Sequence, residues 1–166
     1  MKWWQCLGSV LLLACSSEEL SSSVAPSPAS ISQVIVGTGE RGVFRPAKSG
    51  DRLLLQRGCQ GSQHIFTSLR VAGGATTELH IQVVVERVED GVIVSSPLEL
   101  LLPSEMDPEP GFVRITGLTP VIESPRDIVG KEARVLVQVK DLLGQQSSGS
   151  LRGEVQWGLD SCGGHG

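Results

Sequence analysis

From Ile31 to Leu159 the chain alternates apolar and polar residues with a period of two, and nothing in it carries the 3.6-residue period of a long amphipathic helix. That rhythm commits the chain to strands with one face buried and one face wet. The candidate strands are 31–36, 52–57, 64–72, 77–88, 92–101, 112–118, 133–140 and 150–159. Gly, Pro, Asp and Ser cluster between them, where tight turns need positive φ, a fixed φ or a local hydrogen bond. Short strands at this spacing predict an all-β, two-sheet sandwich of about seven to nine antiparallel strands. One pairing can be taken to single residues. Setting Leu69 opposite Leu79 stacks two apolar sets, puts Arg70 across from Glu78, and leaves 72–76 as the connecting link. In that hairpin His80 faces Ser68 and His64 faces Val84.

Near the end of the chain, Val135, Val137 and Val139 alternate with Arg134, Gln138 and Lys140, and Val155, Trp157 and Leu159 with Glu154 and Gln156. The run ARVLVQVKDLLGQQSSGSLRGEVQW resembles the last two strands of immunoglobulin-like and fibronectin-type bacterial domains. The resemblance implies an immunoglobulin-like sandwich and no particular activity. Its alternation places Trp157 on the core face.

The start of the chain reads differently. Lys2 precedes an apolar run from about Cys6 to Ala14, too short to span a bilayer as a helix. Leu12-Leu13-Ala14-Cys15 closes it, and Ser16 and Ser17 follow. These residues resemble the lipobox of bacterial lipoprotein signal peptides. The resemblance implies removal of residues 1–14, acylation of Cys15, and an address in the cell envelope, with a serine after the cysteine permissive for the outer membrane. Leu13 departs from the small or β-branched residues commoner there. Two or more acyl chains give a stable anchor where one gives a marginal one. Residues 15–30 are rich in Ser and Pro and bury too little to fold, which predicts a disordered tether with a reach of about 20 Å. The sandwich is then expected over 31–162 with a tail at 163–166. About 150 residues outlast the leader, enough for one domain with a true core.

Of the four cysteines, Cys6 leaves with the leader and Cys15 is acylated. Cys59 and Cys162 remain, and in an oxidising compartment the simplest expectation is that they pair. The bridge would close a loop of about 100 residues, worth roughly 4–5 kcal/mol in the chain-entropy model. The formal charge of −4, with scattered arginines, argues against nucleic acid, which needs a clustered basic face.

Gly37-Thr38-Gly39-Glu40-Arg41-Gly42 spells the G-x-G-x-x-G of dinucleotide sites. That chemistry requires a helix whose first amides face the pyrophosphate. Val43-Phe44-Arg45-Pro46 follows instead, so the reading is a Gly-rich connector and no nucleotide is expected. Gly58-Cys59-Gln60-Gly61-Ser62-Gln63-His64 is the most distinctive stretch after the tether. It resembles a Gly-x-Gln-Gly-x-x-His element of uncharacterised bacterial lipoproteins, a likeness that implies no activity. Its glycines permit a tight turn and its amides can bond exposed backbone. Gln60, Gln63 and His64 therefore form the candidate ligand loop, at one pole of the sandwich.

Cys59, His64, His80, Cys162 and His165 raise the question of a metal. The hairpin register separates His64 from His80 by roughly 13 Å. Cys162-x-x-His165 resembles a fragment of a cupredoxin copper loop, without the methionine that follows there. A Cys59–Cys162 bridge would nevertheless bring His64 and His165 together, and copper or zinc held by that pair is the alternative expectation. Glu105, Asp107 and Glu109, and Glu86, Glu89 and Asp90, are oxygen-rich but fit no twelve-residue calcium loop and read as solvated turns. Neither G-x-S-x-G nor H-E-x-x-H occurs. With no Tyr and few other aromatics, platforms for sugars are scarce. The sequence thus points to a non-catalytic, lipid-anchored binding or structural module, without cofactor, facing an envelope protein or ligand it does not name.

Overall fold

The computed structural model describes residues 30–39, 42–73 and 78–158. Ten strands and one short helix run through them: β1 Gln33–Thr38, β2 Leu53–Arg57, β3 Gln63–Ile65, β4 Thr67–Ala72, β5 Glu78–Arg87, β6 Leu98–Pro103, β7 Glu105–Met106, β8 Phe112–Leu118, α1 Pro125–Ile128, β9 Glu132–Asp141 and β10 Gln146–Trp157. They form two sheets, ordered β1-β4-β8-β7 and β3-β2-β10-β9-β5-β6. Written in immunoglobulin letters, the first is A-B-E-D and the second contains G-F-C-C′. The protein is an all-β sandwich with that strand order. The leader, Cys15, the tether and the 163–166 tail lie outside the described residues.

Alternation builds the core as the sequence required. Leu79, Ile81, Val83 and Val85 of β5 and Val135, Val137 and Val139 of β9 point inward, each almost fully buried. Leu69 and Val71 of β4 and Ile115 of β8 meet them from the other sheet. The second face of β4 is covered at Ser68. Ser68, fully buried, donates its hydroxyl to the carbonyls of Gly39 and Val43, at 3.0 and 3.2 Å, where the β1–β2 connection folds over it.

The residue-level hairpin is overturned. β4 pairs with β1 and β8, whereas β5 pairs with β6 and β9, so the 72–76 link passes from one sheet to the other. Leu69 and Leu79 are both core residues, but they belong to different layers. Period two fixes which face is buried and is silent on the hydrogen-bonding neighbour. Arg70 accordingly meets Asp107 and Glu109 instead of crossing a hairpin to Glu78.

Other boundaries moved for local reasons. The 64–72 strand breaks at Phe66, and its halves join opposite sheets. The 92–101 strand shrinks to β6. Before it, Ile93 and Ser95 make only single bridges, and the Ser95 hydroxyl accepts the Val85 amide at 2.9 Å where a strand carbonyl would otherwise serve. The expected antiparallel pairing has one exception. β2 runs parallel to β10, with Leu53, Leu54 and Leu55 beside Val155, Gln156 and Trp157. At this seam Gly153 lies so close to the Asp51 carbonyl that a Cβ there would strike it.

Candidate functional site

The Gly58–Ser62 turn joins β2 to β3. Gly58 N–H donates to the Ser62 carbonyl at 2.8 Å, and Gly61, at φ +87°, closes it with a bond to Gly58. Gln60 stands in solvent at its tip. Cys59 is not a free thiol; its expected partner Cys162 lies outside the described residues, as does His165.

Beyond the turn, the strand sends Gln63 and His64 to opposite faces. Gln63 gives its carbonyl to the Ile122 amide at 2.7 Å. Its side-chain Oε1 is buried with no hydrogen-bond partner. The residue lines an open depression of about 490 Å³ with Ser124, Pro125, Arg126, Asp127 and Trp157. Trp157 is 53% exposed, which corrects the expectation that it packs in the core. Its neighbour two residues back, Val155, is fully buried, so the alternation holds, but Trp157 is the last residue of β10 and lies beyond β9, whose pairing stops at Glu154.

His64 turns away from this depression. It pairs with Gln56 across β2 and bridges to Val121, and it is 7% exposed. Its ring meets Phe66 edge-on, 4.9 Å between centroids. It occupies the space a side chain at position 58 would need, since a Cβ on Gly58 would come 2.5 Å from the imidazole Cε1. Burial holds the His64 pKa below its ordinary value, because the charged ring would lose water. Of the candidate ligand loop, Gln63 alone lines the depression.

The metal alternative pairs His64 with His165, which lies outside the described residues. Among the described residues no three His, Cys, Asp or Glu side chains gather closely enough to hold an ion. His64 and His80 lie in one sheet, separated by β2, β10 and β9, roughly 19 Å at ordinary strand spacing. His80 sits between Leu101 and Lys140, in place of the Ser68 of the hairpin register, and bonds Glu99 at 2.9 Å. The acidic turns hold arginines: Asp107 and Glu109 clasp Arg70, Glu105 meets Arg114, and Asp90 meets Arg87. The Arg87 hydrogen bond lowers the Asp90 pKa to about 2.

No helix follows the glycines of 37–42. Thr38 and Arg45 exchange both backbone hydrogen bonds, at 2.9 and 2.7 Å, and the connection doubles back on β1. A Cβ at Gly37 would come 2.5 Å from the Arg45 carbonyl and 2.8 Å from the Phe44 ring, so the glycine serves this close return.

That return creates a second concavity, which no sequence motif announces. A cleft of about 220 Å³ opens between the β1–β2 connection and the outer face of β2, lined by Thr38, Gly39, Val43, Arg45, Arg52, Leu54, Gln56 and Phe66. Arg52, Leu54 and Gln56 share its floor because they alternate with the buried Leu53 and Leu55. The Gln56 Oε1 is buried and has no partner. An outward Leu54, 44% exposed between Arg52 and Gln56, is the one signal in the sequence pattern that could have marked this face.

Comparison with known proteins yields no relative: no protein-family model matches the chain, and neither does any curated protein.

Proposed function

We propose that the chain is a non-catalytic binding module of the bacterial cell envelope, held to the outer membrane through acylated Cys15. Residues 1–14 act as its leader and 15–30 as its tether, while a Cys59–Cys162 disulfide ties the end of the chain to the β2–β3 turn. Two acyl chains or more supply a stable anchor. Among the described residues no helix is long and apolar enough to cross a membrane.

The observation that carries the binding role is the pole around Gln63. An amide oxygen buried without a partner costs free energy unless something supplies a donor. Beside it stands a half-exposed indole, a side-chain type that offers large contact area at little entropic cost. Arg126 and Asp127 across the depression add polar groups, the pattern of an aromatic anchor within a polar rim.

Two measurements test this reading. Intact-mass analysis of the mature protein should show diacylglycerol on Cys15, and Cys15→Ser should move the protein out of the membrane fraction. A photoreactive amino acid at Gln60, in cells producing the full chain, should give a discrete adduct that Trp157→Ala together with Gln63→Ala removes. An unmodified Cys15, or an adduct pattern indifferent to those two substitutions, overturns it.

A further inference from the structure

We propose that the β1–β2 cleft is a binding site for a small hydroxylated organic anion, a sugar acid or sugar phosphate, held by Arg45 and Arg52. This deepens the binding reading above and rests on it, but the site is distinct from the Gln63 pole.

Charge is the first argument. Arg70, Arg87, Arg114, Arg134 and Arg152 each sit on a carboxylate. Among the described residues Arg45, Arg52, Arg57 and Arg126 make no such pair, and of these Arg45 and Arg52 line one cleft. The carboxylates close by in sequence or register make hydrogen bonds to other groups and no ion pair with Arg52. Asp51 accepts the Lys48 amide at 2.8 Å, and Glu154, next to the Val155 that pairs with Leu53, accepts the Gln156 side-chain amide at 3.1 Å. Two guanidiniums that make no ion pair, placed around one concavity, suit a carboxylate or phosphate, which their planar forks hold by paired hydrogen bonds.

Polarity and size narrow the class. The Gln56 Oε1 is buried without a partner and accepts hydrogen bonds, so a ligand hydroxyl suits it. Thr38 adds a hydroxyl, and Leu54 and Phe66 offer apolar surface for a C–H face. A cleft of about 220 Å³ is of a size to take a single sugar ring.

The test is a titration of the full-length chain, purified in detergent, with D-glucuronate, glucose 6-phosphate and neutral glucose, followed by backbone amide NMR and calorimetry. At least one anion should shift the amides of Leu54, Gln56 and Phe66 saturably, glucose should not, and added salt should weaken the response. The two anions distinguish a carboxylate from a phosphate ligand. Arg52→Gln should weaken binding at least tenfold, and Arg57→Gln, outside the cleft, should leave it unchanged. Absence of a saturable shift with both anions up to about 20 mM, well beyond the millimolar range of weak specific sites, overturns the proposal. So does equal binding of glucose, or wild-type affinity in an Arg45→Gln, Arg52→Gln double variant that melts at the wild-type temperature. Failure here would leave the Cys15 fractionation result untouched, so the two readings fall separately.

Discussion

Replacing Asp107 by alanine should destabilise the sandwich by about 2–3 kcal/mol, several times the cost of the same change at Glu109. The Asp107 side chain is fully buried and does two things. One oxygen accepts the Arg70 Nε at 2.9 Å, and the other accepts the Glu109 amide at 2.8 Å. Arg70 projects from β4, and its guanidinium also lies 4.5 Å from the centre of the Phe44 ring. One residue thus fastens both the β1–β2 connection and the β7–β8 turn to β4. A hydrogen bond to a charged group contributes about 1.5–3 kcal/mol, and stranding one partner of a fully buried ion pair costs about 3–5 kcal/mol. The lower range applies because Arg70 keeps 21% exposure and retains Glu109 at 2.6 Å. Glu109 is 54% exposed, so its pair is expected to contribute below about 1 kcal/mol. At roughly 3–4 °C per kcal/mol, Asp107→Ala should lower Tm by about 6–12 °C. The assay is urea unfolding of the wild type, Arg70→Ala, Asp107→Ala and the double variant, with a parallel cycle for Glu109. A coupling of at least about 1.5 kcal/mol for Arg70–Asp107 is expected. A value under about 0.5 kcal/mol, or a larger coupling to Glu109, refutes the reasoning.

The remaining predictions concern the core, the seam and His64. Leu69→Ala should cost about 2–5 kcal/mol in denaturant unfolding, because Leu69 is fully buried between the sheets. Gly153→Ala should destabilise by about 1–3 kcal/mol, since its methyl meets the Asp51 carbonyl, whereas Gly91→Ala meets open space and should cost only the strain of its φ of +71°. His64 has a depressed folded pKa, so the folded state binds fewer protons than the unfolded one below about pH 6.5. Stability should therefore be complete above that pH and fall on acidification towards the folded pKa. His64→Gln should flatten that part of the stability profile, and an unchanged slope would remove His64 as its cause.

How much of this was legible in the sequence differs from element to element. Val135, Val137, Val139 and Leu79 to Val85 announced their buried faces, because alternation is a local property that water enforces residue by residue. Partner choice is not local. The 72–76 link is short enough for a hairpin, yet it crosses between sheets, and the close approach that shapes its start, Gly73 against the Ser30 carbonyl, comes from a segment forty residues earlier. Trp157 followed the alternation faithfully and still ended in solvent, because a pattern of faces carries no information about where the neighbouring strand stops. At the candidate sites, Gln63 was marked by its Gly-rich surroundings. The Arg45–Arg52 cleft was not, since residues 38–45, 52–56 and 66 converge only once a connection has doubled back over a strand edge.

The parallel seam between β2 and β10 also has a mechanical meaning. Pulled at residues 30 and 158, inside any Cys59–Cys162 bridge, β2 is drawn backward and β10 forward along the same axis, so the bonds beside Leu53–Leu55 are loaded together in shear. An antiparallel hairpin pulled open at its mouth would surrender them one at a time. Residues 53–55 and 155–157 thus form a clamp against stretching, independent of whatever the surface binds.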